Sequence, residues 1–157
     1  MSIESDIARC KEEEERIRFD HFDHDLAYRI GIALREEAHV REAAVTIDIR
    51  GFGQQLFHLA MAGTAPDNDR WIERKVNVVT RFGKSSFRVG RELAQEGMEI
   101  DERYFVDPFS FSAHGGCFPI RLRRGGVIGT VTVSGLAQEE DHALVVSVLE
   151  RFVSGDE

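Results

Sequence analysis

The chain has 157 residues, 42% of them hydrophobic and 31% charged, with eleven phenylalanines and a net charge of −8. That length and apolar content suit one domain with a real core and exclude a disordered chain. The acidic balance argues against general nucleic-acid binding and against docking on anionic membranes, because phosphate neutralisation needs a basic surface.

No stretch is long and apolar enough to span a bilayer. The opening residues show no apolar signal core but run into Cys10, Lys11 and the acids Glu12 to Glu15. Two cysteines, Cys10 and Cys117, stand far apart without CxxC spacing. They read as reduced thiols, and the expected location is the cytoplasm. No metal site is expected.

Residues 4–18 form a charged helix with a thin apolar line, Ile3, Ile7, Cys10 and Ile17, interrupted by Glu14. So narrow a stripe suits a helix laid against the domain or against a partner subunit. The expected organisation is an N-terminal helical extension, 1–18, and a single domain, 19–157. A second helix is predicted over roughly Asp23–Ala38, with Leu26, Ile30, Ala33, Leu34 and Ala38 on one face. The period then changes to two. Val45, Ile47 and Ile49 alternate with polar residues, and Gly51-Phe52-Gly53 turns the chain into Gln54–Met61. This hairpin should place Asp48 and His58 on one face and the apolar set on the other.

A helix is expected to start with Asp67, Asn68 or Asp69 as its cap and to run to about Phe82, with a further helical piece to about Gln95. Gly97–Phe111 is the least regular stretch. Phe118–Arg123 and Val127–Ser134 read as a second hairpin. A two-residue Gly125-Gly126 turn would pair Leu122 with Gly129, Ile120 with Val131 and Phe118 with Val133. A last helix, about Gln138–Val153, closes the domain. The order ααββα(α)ββα implies an α+β fold, an antiparallel sheet with flanking helices.

Candidate chemistry concentrates around Trp71–Arg91 and His114–His142. Arg70, Arg74, Lys75, Arg81, Lys84, Arg88 and Arg91 stand within one segment whose single acid is Glu73. Such a run either attracts a carboxylate or phosphate, or balances the acidic N-terminal helix across a subunit contact. Helical phasing puts Lys75 inside the apolar arc of Trp71, Ile72, Val76, Val78, Val79 and Phe82. A lysine there snorkels out, pairs with an acid or lines a cavity, with snorkelling as the default expectation. Asp141 lies at the centre of the last helix's apolar arc. A local cap is the first reading, and an acid able to meet Lys75 is the second. Gly115-Gly116 and Ser134-Gly135 let backbone N–H groups approach an anion closely.

His21 and His24 among Asp20, Asp23 and Asp25 read as capping and solvated charge. His58 and His114 are better ligand candidates, and His142 is read as a helix-surface group. No Ser-His-Asp arrangement can be inferred.

Three segments form a recognisable set: Asp67-Asn68-Asp69-Arg70-Trp71-Ile72-Glu73-Arg74-Lys75, Gly115-Gly116-Cys117-Phe118-Pro119-Ile120, and Val133-Ser134-Gly135-Leu136 followed by Glu140-Asp141-His142. In this order they resemble the haem-degrading family, also called GlcG-like or HbpS-like, over roughly residues 19–153. The resemblance implies a profilin-like antiparallel sheet with helices, assembly as a homo-oligomer (dimer or higher), and haem or a related tetrapyrrole as a ligand. Family motif positions fall on Trp71, Arg74, Lys75, Gly115, Gly116, Pro119, Ser134, Gly135 and Asp141.

The resulting expectation is an oligomeric binding protein for an anionic, partly aromatic small ligand, with Trp71, Arg74, Lys75, His114, Gly115, Gly116, Ser134, Gly135 and Asp141 as its site. Lys75, Arg74 and the Gly115-Gly116 amides would meet carboxylates; Trp71, Phe82 and Phe118 would form the walls. The rivals are a protein-interaction scaffold, using Phe105, Phe109 and Phe111 as contact surfaces, and a weak haem-degrading enzyme. Binding is preferred to catalysis, because no defined catalytic set assembles.

Overall fold

The computed structural model describes residues 2–154. Met1 and residues 155–157, which close the two expected segments at either end, lie outside the described residues.

Helix α1 (Ile3–Arg16) starts under a Ser2 cap, and α2 (His24–Val40) under Asp23, whose side chain accepts from Leu26 N–H at 2.7 Å. Strands β1 (Thr46–Gly51) and β2 (Gln54–Ala60) form the first hairpin. Its turn residues, Phe52 and Gly53, both have positive φ, as a tight right-twisted hairpin turn requires. The pairing sets Ile47 opposite Leu59 and Asp48 opposite His58, which keeps each pair on the face expected from alternation.

Helix α3 (Pro66–Phe82) begins earlier than expected. Pro66 occupies its first position, where a missing N–H costs nothing, and Asn68 folds back to accept from Ala65 N–H at 2.9 Å. Helix α4 (Ser86–Glu96) is capped by Ser85. A short helix that the sequence reading missed, α5 (Ile100–Tyr104), follows within the irregular stretch, with the Glu102 side chain accepting from Glu99 N–H. Strands β3 (Cys117–Arg121) and β4 (Val127–Ser134) precede α6 (Gln138–Ser154).

The second hairpin differs from expectation by two residues: Ile120 faces Gly129 and Phe118 faces Val131. The end of β3 is drawn outward instead. Phe19 N–H donates to Arg121 O at 2.9 Å and Arg123 N–H donates to Phe19 O at 2.7 Å, so the chain past Arg121 serves Phe19 and the turn lengthens. A slip of two leaves every side chain on its expected face.

The four strands form one antiparallel sheet in the order β2-β1-β4-β3. One face carries Ile47, Ile49, Phe118, Ile120, Val131 and Val133 into the main core with α2 and α6. The other presents Thr46, Asp48, Thr130 and Thr132, all buried, on the side that α3 covers. Helix α1 packs on α4 of the same chain. Its narrow stripe is extended by two buried acids, Asp6 and Glu14, which pair with Arg91 at 3.1 Å and Arg88 at 2.7 Å.

Candidate functional site

Helix α3 crosses the polar face of the sheet with one charged side chain turned inward. Lys75 is 3% exposed, so the expected snorkelling does not occur. Its helix neighbours Ile72, Val76 and Val79 are buried with it. Nζ instead donates to Val133 O at 3.3 Å and to Asp141 Oδ2 at 3.2 Å.

Asp141 performs both of its expected roles. Oδ1 accepts from Leu136 N–H at 2.9 Å, Oδ2 from Gly135 N–H at 3.4 Å, and the same carboxylate meets Lys75. The anion served by the Ser134-Gly135 turn is therefore a side chain of the chain itself, held where helix α6 starts. Burial pushes the Asp141 carboxyl up to about 6, against the pull of Lys75 and the two amides. Burial also lowers Lys75, and Asp141 only partly restores it. Desolvation moves both partners toward their neutral forms.

The glycine pair makes room for this contact. A Cβ at Gly116 would stand 2.7 Å from Lys75 Nζ and 2.4 Å from Val133 O, and the residue has φ 137°. Gly115 N–H donates to Gln138 Oε1 at 2.9 Å, so that amide is already engaged, contrary to its expected role toward a ligand carboxylate.

Above the pair lies a pocket of about 280 Å³ lined by Trp71, Lys75, His114, Ser134, Gly135 and Asp141, together with Asn68, Leu136 and Gln138. His114 stands edge-on to Trp71, ring centroids 5.5 Å apart. Its Nδ1 lies 2.6 Å from Ser112 Oγ. Burial lowers the His114 pKa, with the charges of Lys75 and Arg74 adding to the effect. Arg74 stacks on Trp71, its guanidinium carbon 4.7 Å from the ring centroid, and donates to Pro108 O at 3.2 Å. Its buried Nε has no hydrogen-bond partner.

Two expected walls are elsewhere. Phe118 is fully buried in the main core, on the opposite face of the sheet, and Phe82 packs beside α4 and α5 against Tyr104. The basic run also disperses: Arg70 meets Glu73, Lys84 meets Glu92, and Arg88 and Arg91 reach α1. It thus balances the acidic helix within one chain.

His142 overturns its expected surface position. It is 2% exposed, lies 2.7 Å from Glu13 Oε1 through Nε2, and packs on Phe87. Cys10, Glu13 and His142 bring ligand-type atoms within 4.8 Å of one another. Only knowledge that α1 lies over the start of α6 could have joined them. Both cysteines are buried and unpaired. His58 pairs with Asp69 at 2.7 Å in a separate cleft. A larger groove of about 570 Å³ runs between the hairpin turns and α3. The charged side chain among its lining residues, Arg50, is already bonded to the buried Asp48 at 2.8 Å, which leaves that groove with less chemistry than the smaller pocket.

Comparison with known proteins follows the same outline. The profile of a family described as "Haem degrading protein HbpS-like" matches residues 22–150. A UPF0303 protein of Streptomyces coelicolor is 50% identical over 147 residues, covering 94% of this chain and 93% of the relative. The crystal structure of the Ybr137w protein superposes with a TM-score of 0.87 at 34% identity, over 95% of this chain and 88% of the other. The PduOC:heme complex superposes with a TM-score of 0.67 at 17% identity, over 82% of this chain and 92% of the other, a likeness of fold.

Proposed function

This chain belongs to the HbpS-like family of haem degrading proteins, and on that premise we propose that it is an oligomeric binding protein for an anionic, partly aromatic small ligand, with haem or a related tetrapyrrole as a candidate. The observation that carries the reading is one pocket in which Lys75 and His114 meet the Trp71 ring, with Arg74 stacked on it. Burial is the main cause that lowers His114, and the positive charges of Lys75 and Arg74, which add to it, are of the sign that attracts an anion. The Arg74 guanidinium, stacked on Trp71, adds positive charge beside the pocket for a carboxylate.

A volume of about 280 Å³ is at the lower limit for small-molecule sites. It suits a one-ring ligand whole, or one edge of a tetrapyrrole whose remainder lies outside this chain's pocket. The residues fit that edge: Arg74 and Lys75 would hold carboxylates, Trp71 would pack on the ring system, and His114 Nε2 would be the nitrogen left for iron. Haem, when bound, would supply an iron centre for redox chemistry.

Assembly supports the same picture. Phe105 and Phe109 are 92% and 87% exposed and flank Pro108, whose carbonyl binds Arg74 beside the pocket. Large exposed rings in that position suit burial by a second copy. The buried free thiols suit a reducing cytoplasm, and among the described residues no helix is long and apolar enough to cross a membrane.

Titration with haemin should give a shifted Soret band that weakens in Lys75→Met. A spectrum no different from that with an unrelated acidic protein removes haem as the ligand. Native mass measurement at several concentrations should show a dimer or larger assembly, and a strict monomer would overturn the oligomeric part.

A further inference from the structure

The chain has three lysines, and they differ sharply in setting. Lys11 is exposed, Lys84 pairs with Glu92 at the surface, and Lys75 is 3% exposed on the floor of the Trp71–His114 pocket. We propose that the Lys75 amine condenses reversibly with the carbonyl group of an aromatic 2-oxo acid, forming an imine at Nζ, with Asp141 as the proton carrier. The proposal rests on the reading of this pocket as a site for an anionic, partly aromatic ligand, and it names the substrate class.

Imine formation needs an amine that can lose its proton, an acid–base group within reach of it, and space around the nitrogen. Asp141 Oδ2 lies 3.2 Å from Nζ. That contact and the 3.3 Å bond to Val133 O are both longer than the ~2.7–2.9 Å of a tight charge-assisted bond, so the amine is held loosely. Gly116 leaves room for Nζ itself, since a Cβ there would stand 2.7 Å from it, and the pocket that Lys75 lines supplies the open side. Burial favours the amine over the ammonium form of Lys75 and the acid over the carboxylate form of Asp141. The remaining pocket matches the rest of such a ligand. Trp71 and His114 in its lining offer rings to an aryl group, and the Arg74 guanidinium stacked on Trp71 adds positive charge beside the pocket for the carboxylate.

The step balances without a further reactant. The Lys75 ammonium gives one proton to the Asp141 carboxylate, and the freed amine lone pair forms a C–N bond to the carbonyl carbon. The carbonyl π electrons move to oxygen, which takes a proton from nitrogen to give a carbinolamine. Asp141 then returns its proton to that hydroxyl, the C–O bond breaks, and water leaves. The nitrogen lone pair closes the C=N bond. The products are a protonated imine on Lys75, the Asp141 carboxylate beside it, and one water.

The test uses the full chain with phenylpyruvate and cyanoborohydride, read by intact mass and peptide mapping. One reduced adduct on the Lys75 peptide is expected, with no comparable labelling of Lys11, Lys84 or the amino terminus. Asp141→Asn should slow trapping by about 100-fold, the scale of a lost general acid–base group. Trp71 is the chain's single tryptophan, so its fluorescence reports pocket occupancy. The 2-hydroxy analogue phenyllactate has no ketone carbonyl and should quench it without trapping. Quenching by either acid with no Lys75 adduct overturns the imine and leaves the binding reading standing. No quenching and no adduct overturns both. Labelling spread evenly over all amines also overturns the imine.

Discussion

Asp141 and His142 are neighbours in sequence at the start of α6, equally buried, yet they serve opposite sides of the molecule. Asp141 faces α3 and binds Lys75 beneath an open pocket lined by an aromatic ring and a glycine turn. His142 faces α1, binds Glu13 and packs against Phe87 and Phe118, with ring centroids 5.0 and 6.1 Å away. Burial of a titratable pair therefore does not mark a site. What distinguishes the first pair is space beside it and alternative partners: Asp141 keeps two backbone N–H donors without Lys75. Among the described residues, the cation left to Glu13 without His142 is Arg9, at 3.8 Å. The second pair joins two helices, and the first is the one we propose to exchange partners.

The largest effect should come from the joint. His142→Ala removes a packed ring and strands Glu13, and should cost about 3–5 kcal/mol in denaturant unfolding. A loss below 1 kcal/mol would erase the contrast from that side.

The next effect is a pH dependence confined to the pocket pair. Folding raises the Asp141 pKa from 3.8 to about 6. Between those values the folded chain holds a proton that the unfolded chain has released. Its stability relative to Asp141→Asn should therefore fall as pH rises from about 4 to 6, by on the order of 2 kcal/mol, and then level off. A difference that rises with pH over that window would mean the carboxylate form is the one the fold prefers.

Lys75→Met should cost about 1 kcal/mol or less, because the methionine stem fills the same space and Asp141 can retain its proton and its amide donors. Ligand-induced quenching of Trp71 should nevertheless weaken by at least about 10-fold, the loss of one charged contact. A stability loss equal to that of His142→Ala would make Lys75–Asp141 a second structural joint. Trp71→Phe should be the mildest change, within about 0.5 kcal/mol in stability because the ring is only partly buried.

Much of the fold was legible because it depends on neighbours in sequence. The shared faces of β1 and β2 followed from alternation on either side of the Gly51-Phe52-Gly53 turn, and helical phasing alone singled out Lys75 and Asp141 as polar residues on apolar arcs. The pocket residues Trp71, His114, Ser134 and Gly135 were likewise read from turns and motifs, whereas Asn68 and Gln138 were read only at helix starts, and the side chain of each serves a backbone amide.

What failed depended on distant partners. Phe19 captures the end of β3 from about a hundred residues away and moves the second hairpin's register by two. Glu13 draws His142 inward, and Asp6 and Glu14 absorb part of the basic run. Periodicity reflects backbone geometry within a few residues, so the sequence by itself determined that Lys75 and Asp141 lie on apolar arcs, but not that the Lys75 amine stays buried or that His142 turns inward. Which group meets that side chain is set by how whole elements pack. Only the tertiary structure decided that Lys75 finds Asp141 beside a pocket, while the very next residue, His142, closes a joint.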